Sequence, residues 1–137
     1  MTPEEARRRF LEAQVAHLAT VDPSGAPHIV PITFAIEGDT IYTAVDAKPK
    51  RGTPLRRFAN VAANPRVSVL VDAYDADWTR LWWARADGRA SVLVDGEATD
   101  HALALLRARY AQYADTGLAG PAMRIDVERW TGWSWSG

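Results

Sequence analysis

The sequence predicts a mainly β fold, in which short antiparallel strands close into a small barrel and a few helices pack against it. Three observations support this: stretches of β-branched and aromatic residues recur along the chain, tight-turn residues separate them, and only a few segments have helical periodicity. The chain has 137 residues, of which 47% are hydrophobic and 24% charged. This length and composition fit one globular domain over residues 1–137.

The composition excludes several kinds of site. A formal net charge of -1 argues against a general nucleic-acid binder. Cysteine is absent, which excludes disulfides, thiolate metal sites and cysteine nucleophiles. The three histidines are too scattered for a recognisable metal motif. The sequence has neither a leader pattern nor an apolar run of membrane-spanning length, so we expect a cytoplasmic protein with no membrane partner.

The first element is predicted to be a helix. Thr2 is a suitable cap, Pro3 suits the first turn, and Glu5 completes a capping box. An apolar stripe that includes Phe10 follows at helical spacing. We expect the arginines at positions 7–9 to be solvated surface.

Strands and turns follow the first helix. Residues 17–21 suit a strand, and 22–25 carry Pro and Gly where a type I turn needs them. Residues 28–36 are predicted to form one strand, in which Pro31 indicates an edge or a bulge because proline lacks an N–H. A further strand is expected over 40–45.

A basic cluster precedes and enters the next helix. The helix is predicted over 55–63, between a Thr-Pro start and an Asn-Pro end. Its first turn carries arginines where free backbone N–H groups also favour an anion. A mixed basic segment is most often a solvated helix face, but five cations in a chain of net charge -1, combined with the neighbouring strand pattern, favour a local anion site. They are Lys48, Lys50, Arg51, Arg56 and Arg57.

The remaining elements are predicted with less local detail. A strand over 66–71 is followed by a hairpin of strands 81–86 and 89–94, turned by Asp87-Gly88. Thr99 is expected to cap a helix with a core-packing stripe. The stripe comprises Ala102, Leu105, Leu106, Tyr110 and Tyr113.

The C-terminal region is predicted to be a loop followed by β-structure. After a loop over 117–121, residues 123–135 suit two short strands or one bent strand. The chain's six tryptophans suit stacking on a planar ring, or packing in a core or interface. Adjacent Trp82 and Trp83 should face opposite sides of a strand, so at most one of them is expected to line a pocket.

Several motifs together resemble a known family. In chain order they are Leu18-Ala19-Thr20, Asp22 to Pro27, Ile41-Tyr42-Thr43, Arg56-Arg57 and Asn64-Pro65-Arg66-Val67. This order resembles the FMN-binding-type split β-barrel of the pyridoxamine 5'-phosphate oxidase superfamily, a Greek-key-like antiparallel barrel. Residues 27–34, 48–51 and 77–83 are similar to its actinobacterial branch, which uses the deazaflavin coenzyme F-420.

The resemblance implies a homodimer with the cofactor in a cleft between two barrels. Arg56 and Arg57 match the pair that binds the flavin phosphate in the oxidase branch. Lys48, Lys50 and Arg51 lie in a loop that is longer than the corresponding loop of the oxidases. Their positive charge suits the acidic tail of a deazaflavin. The other positions that the resemblance assigns to the cofactor are Pro31, Ile32, Thr33, Tyr42 and Thr43. Trp83 is added to the cofactor site as the tryptophan that could stack on its ring.

The implied chemistry is hydride transfer, for which the cofactor supplies the reactive carbon and the protein supplies position and electrostatics. His28 and Tyr42 are candidate proton donors, and no catalytic residue is assigned. Pyridoxamine phosphate oxidation itself is disfavoured, because the strand after Pro27 lacks basic residues and the C-terminus lacks an Arg-x-His element.

Three other functions are compatible with the same pattern. One is an FMN-binding flavoprotein of the oxidase type, and another is a non-catalytic carrier of a flavin, a deazaflavin or heme. The third, a binder of single-stranded nucleic acid, would show strong salt dependence, and the near-neutral charge disfavours it.

Overall fold

The structure is a computed structural model that describes residues 1–46 and 55–136, with only the backbone of Asp46. Within these ranges the strands are β1 Ala16–Val21, β2 Pro27–Ile32, β3 Ala35–Glu37, β4 Thr40–Asp46, β5 Arg66–Ala73, β6 Trp82–Leu93 and β7 Leu118–Ser134. The helices are α1 Pro3–Glu12, α2 Arg56–Ala63, α3 Glu97–Arg109 and α4 Tyr113–Thr116, with a 3-10 turn over Trp78–Arg80. The described strands form one antiparallel sheet in the order β2-β1-β5-β6-β7-β4-β3. The predicted mainly β fold is confirmed.

Helix α1 begins as its sequence predicts. The Thr2 hydroxyl accepts from the Glu5 N–H at 3.2 Å, and the Glu5 carboxylate accepts from the Thr2 N–H at 3.0 Å. The arginines of this helix are less solvated than expected. The Arg7 guanidinium donates to the Gly38 carbonyl at 2.6 Å, and the Arg9 guanidinium lies 4.6 Å from the ring centre of Trp82. Two of the three arginines therefore make tertiary contacts.

The single strand predicted over 28–36 is wrong. The chain forms β2, leaves the sheet at Thr33 and Phe34, and re-enters as β3 at the opposite edge. Both segments keep strand-like composition, so the alternation does not reveal the break. The prediction that Pro31 marks an edge is confirmed, because β2 pairs only with β1 within the described residues.

The hairpin predicted at Asp87-Gly88 is also wrong. Strand β6 runs through both residues without turning and pairs along its length with β5 and β7. Gly88 is needed there because a Cβ at this position would overlap the backbone oxygen of Asp126 on β7. The glycine serves close strand packing and a register shift of the β6–β7 pair, whereas the sequence suggests a turn.

The C-terminal helices and strand begin and end at other residues than predicted. Gly96, with φ of 97°, is the N-cap of α3, and Thr99 is buried inside the first turns of the helix. Tyr110 is its C-cap, while Tyr113 belongs to α4. Most of the predicted loop over 117–121 is the beginning of β7, which confirms the single-strand alternative for the closing segment.

Two apolar clusters stabilise the fold. The larger one fills the barrel and includes Phe10, Phe34 and Ile125, all fully buried. Phe10 packs edge-on against Phe34, with ring centres 5.9 Å apart. The smaller cluster lies under α3 and includes Tyr42 and Leu106. No described helix is long and apolar enough to cross a membrane.

Candidate functional site

Helix α2 carries the two described arginines of the predicted anion site. Arg56 and Arg57 are its first two residues, so both lie where backbone N–H groups have no helical acceptor. The helix is held by Phe58, which is buried, and by Asn60, whose side-chain amide donates to the Thr20 hydroxyl of β1 at 2.9 Å. The two guanidinium groups therefore extend from a fixed helix at one end of the barrel.

The two arginines differ in environment. Arg57 is half-buried, and burial lowers the pKa of its guanidinium, although arginine stays charged at neutral pH. Arg56 is exposed, and its charge acts on Asp22 in the β1–β2 turn. There the Ser24 hydroxyl, then the Ala26 N–H and, less strongly, the Arg56 charge lower the pKa of Asp22. A partly desolvated cation beside an exposed one is a suitable environment for a phosphate or carboxylate.

Three further cations of the predicted site, Lys48, Lys50 and Arg51, lie outside the described residues. Their contribution to the anion site remains a prediction from the sequence.

The structure brings Thr33 and Thr43 together. The Thr43 hydroxyl donates to the Thr33 carbonyl at 2.7 Å, and the Thr33 hydroxyl shares a hydrogen bond with that of Tyr113. The Tyr42 side chain points to the opposite side of β4 from the Thr43 side chain. Its ring is 5% exposed and packs edge-on against His101, 5.9 Å between ring centres. Because side chains alternate along a strand, Tyr42 faces α3 while Thr43 faces the Thr33 link.

Pro31 and Ile32 also face opposite sides of their strand. Ile32 is 4% exposed and belongs to the barrel core, whereas Pro31 is exposed on the outer face of the sheet. Pro31 pairs with His17, His17 with Leu70, and Leu70 with Arg85, so these four side chains form one row across the outer face.

Trp83 lies on the same outer face, two residues along β6 from that row. It pairs directly with Trp133 of β7, while Trp82 packs against the core, which confirms that the two tryptophans face opposite sides. The Arg85 guanidinium lies 5.5 Å from the Trp83 ring centre and bonds Asp87 at 3.0 Å. A cavity of about 350 Å³ opens here. Its lining comprises Leu70, Asp72, Ala73, Tyr74, Leu81, Trp82, Trp83, Arg85 and Trp133. Trp82 and Trp83 both border this cavity, so the prediction that at most one of them lines a pocket is wrong.

The sequence did not reveal Leu70, Arg85 and Trp133 as neighbours of Trp83. The β6–β7 register brings Trp133 opposite Trp83 across fifty residues of chain. The one available signal was the concentration of tryptophans near both segments, but composition does not determine register.

The two candidate proton donors lie in different environments. His28 pairs with Thr20 at the α2 end of the barrel and is half-buried, and its Nδ1 atom is buried without a hydrogen-bond partner in the structure. The Tyr42 side chain is in the cluster under α3. His28 therefore lies nearer to the element that carries the arginines.

The described candidate residues lie in two neighbourhoods of different chemistry. Cations lie at one end of the barrel, and apolar and aromatic side chains lie on the outer face. In residues 1–46 and 55–136 no group of three His, Asp or Glu side chains could hold a metal ion. A ligand with an anionic arm and a flat, conjugated body matches this donor set.

The chain is similar to known proteins over nearly its whole length. A family model described as pyridoxamine 5'-phosphate oxidase matches residues 2–134. No curated protein matches the chain significantly.

Solved structures share the fold. A FAD-binding protein from Mesorhizobium loti is 22% identical, with a TM-score of 0.76 over 96% of this chain and 94% of that chain. A heme storage protein from Vibrio cholerae is 20% identical, with a TM-score of 0.71 over 98% and 95%. A heme binding protein from Mycobacterium smegmatis is 20% identical, with a TM-score of 0.69 over 98% and 58%. These similarities confirm the predicted split β-barrel architecture.

Proposed function

The chain belongs to the pyridoxamine 5'-phosphate oxidase family, and from this premise we propose that it is an oxidoreductase that uses the deazaflavin coenzyme F-420. The coenzyme would exchange a hydride with a small-molecule acceptor. The observation that carries the proposal is the arginine pair that opens α2, in which Arg57 is half-buried beside an exposed Arg56.

The arginine pair suits the acidic end of the coenzyme. A half-buried guanidinium has lost part of its water, and a phosphate or carboxylate restores that stabilisation with charge-assisted hydrogen bonds. The five basic residues between positions 48 and 57 stand in a chain of net charge -1, so the positive charge is local. A long acidic tail needs more cations than a single phosphate does, which favours F-420 over FMN.

The ring of the coenzyme is proposed to lie against the β-structure near Pro31, Thr33 and Thr43, with Trp83 on the same outer face as Pro31. The coenzyme supplies the hydride chemistry when it is bound. The residues of this chain hold the acidic tail, orient the ring and limit access of water. No proton donor is proposed, because His28 lies on the same side of β2 as the core residue Ile32, opposite to Pro31, and Tyr42 lies under α3.

A second copy of the chain is proposed to cover the outer face. Ile29 on β2 is 64% exposed and Trp133 on β7 is 44% exposed, and the half-buried Leu70 and Trp83 lie between them in the sheet. An apolar patch of this extent on a sheet is typical of an interface. Light scattering of the purified protein tests this: a dimeric mass is expected, and Ile29→Asp should shift it toward the monomer. A monomeric wild type would contradict the proposal.

A non-catalytic carrier is the second candidate, because two of the structures that share the fold are named for heme storage and heme binding. A carrier would hold its ligand in the same cleft without turnover. Reduction of an acceptor with matched oxidation of the bound coenzyme would favour the enzyme. Tight binding with no turnover across a broad acceptor panel would favour the carrier.

The deciding experiment is a parallel fluorescence titration of the purified protein with F-420 and with riboflavin phosphate, and an absorbance titration with heme. Tighter binding of F-420 is expected. Clear preference for riboflavin phosphate would instead indicate an FMN flavoprotein, and preference for heme would indicate the carrier. Either result would overturn the proposal.

A further inference from the structure

The link Thr33-Phe34 joins two strands that lie at opposite edges of the sheet. Strand β2 pairs with β1 at one edge and β3 pairs with β4 at the other, although the strands are consecutive in the chain. In the part of the chain that the structure describes, β2 and β3 form no ladder with each other. We call the place where β2 and β3 meet without pairing the seam of the barrel. Backbone N–H and carbonyl groups at the seam therefore need hydrogen-bond partners outside the sheet.

Side chains at the end of α3 supply those partners at Phe34. The Phe34 N–H donates to the Tyr110 hydroxyl at 3.1 Å, and the Phe34 carbonyl accepts from the Arg109 guanidinium at 2.6 Å. The Tyr110 hydroxyl also lies 2.9 Å from the Gln14 carbonyl, to which it can donate its proton. Phe34 is fully buried, so without these groups its amide would be an orphan donor.

Arg109 connects the same point to α1. Its guanidinium donates to the Ala13 carbonyl just after that helix and lies 4.4 Å from the ring centre of Phe34. Burial raises the pKa of the Tyr110 hydroxyl, so this group stays protonated and able to donate at neutral pH. Tyr110 packs edge-on against Tyr113, with ring centres 5.9 Å apart.

Thr33, which precedes Phe34 in the link, forms hydrogen bonds with two more side-chain hydroxyls. Thr43 of β4 donates to the Thr33 carbonyl at 2.7 Å, and Tyr113 of α4 shares a hydrogen bond with the Thr33 hydroxyl. A line of side chains thus runs from α4 through the link to β4. We name the set Arg109, Tyr110, Tyr113, Thr33 and Thr43 the seam clasp.

We propose that Tyr113, acting through Thr33, is a positioning residue of the coenzyme site. The inference rests on the proposed function, since Thr33 and Thr43 are the positions assigned there to the coenzyme ring. The Tyr113 hydroxyl fixes the Thr33 side chain, and Thr43 fixes its carbonyl, so the clasp sets how far apart the ends of β2 and β4 lie. A ring bound against both strands is sensitive to that separation.

The test compares hydroxyl deletions in the whole protein. Tyr113→Phe should raise the Kd for F-420 by about 3- to 10-fold, the effect of one neutral hydrogen bond, and should change the emission of the bound coenzyme. Thr33→Val should do the same, and the double variant should lose little more than either single variant. Thr33→Ser, which keeps the hydroxyl, should lose less affinity than Thr33→Val.

A matched control lies in the same short helix. The Thr116 hydroxyl donates to nearby backbone, at 3.1 Å to the Gln112 carbonyl and 3.5 Å to the Gly117 carbonyl. Thr116→Val should therefore leave the Kd and the emission unchanged. An unchanged Kd and emission in Tyr113→Phe would overturn the inference. Additive losses in the double variant would also overturn it, because the two hydroxyls would then act separately.

Amide hydrogen exchange tests the clasp without any coenzyme. Tyr110→Phe removes the acceptor of the Phe34 N–H, so exchange of that amide should accelerate by about 10-fold or more, while amides in the middle of β5 keep their rates. Unchanged exchange at Phe34 would show that the clasp does not hold the seam. If the wild type bound neither F-420 nor riboflavin phosphate, the proposed function would fail, and this exchange result would still decide whether the clasp exists.

Discussion

The N-termini of α1 and α2 differ in capping and in the charge of their first turns. At α1 the Thr2 side chain caps the helix, and Glu4 and Glu5 place negative charge in the first turn. At α2 the cap residue is Leu55, which makes no side-chain hydrogen bond, and the first turn carries Arg56 and Arg57 instead of acids. Negative charge stabilises a helix N-terminus and positive charge there does not.

The contrast indicates different roles for the two helix ends. The capping box completes α1 within the chain, so that end needs nothing further. The α2 end has no side-chain cap from Leu55 and carries two cations in its first turn, an arrangement that an external anion would complement. Under the proposed function, the bound anion would stabilise the N-terminus of α2, which its own first turn does not.

The largest expected effect is a loss of coenzyme affinity when an arginine at the N-terminus of α2 is removed. Arg57→Ala should weaken coenzyme binding by about 1.5–3 kcal/mol, the scale of a hydrogen bond to a charged group, as measured by fluorescence titration. Arg8→Ala is the matched control, because Arg8 is an exposed arginine of α1 and should leave the affinity unchanged. Equal affinity in Arg57→Ala and the wild type would remove Arg57 from the site.

A smaller effect is expected on the α1 side. Thr2→Ala removes the capping hydroxyl and should lower the free energy of unfolding by about 1 kcal/mol in urea titrations. Coenzyme affinity should stay the same, because the α1 end lies outside the proposed coenzyme site. A variant that kept its stability but lost affinity would show that the two helix ends do not divide their roles in this way.

The smallest effect concerns Asp22, whose pKa is lowered mainly by the Ser24 hydroxyl and slightly by the charge of Arg56 at the start of α2. Hydrogen bonds from Ser24 and Ala26 lower the pKa of Asp22, so its ionised form is favoured in the folded state. The stabilisation is therefore present above the unfolded-state pKa and is lost as the pH falls through the lower, folded value. Asp22→Asn should reduce stability at pH 7 and make little difference at the acid end of a denaturation series. A difference that grew toward low pH would contradict this.

The elements that sequence analysis predicted well are those with local causes. The α1 capping box and the β1–β2 turn each depend on about four adjacent residues, and both form as predicted. The end of α2 at Asn64-Pro65 is of the same kind. The arginine pair could be placed on the first turn of a helix for this reason alone.

The errors have long-range causes. Asp87-Gly88 resembles a turn, but the glycine is there because the β7 backbone approaches β6 at that point. Residues 28–36 look like one strand, but β2 and β3 lie at opposite sheet edges. Neither fact has a signature within a few residues, since each depends on which distant segment packs alongside.

The sequence by itself determined the antiparallel barrel class, the capped first helix and the cluster of cations that enters α2, because turn chemistry, strand composition and charge act between near neighbours. Only the tertiary structure decided that Trp133 faces Trp83, that Tyr42 turns away from Thr43 toward α3, and that Tyr110 and Tyr113 hold the seam at Thr33 and Phe34. These contacts join residues many positions apart, and their geometry follows from strand register and from the need to pair buried backbone groups.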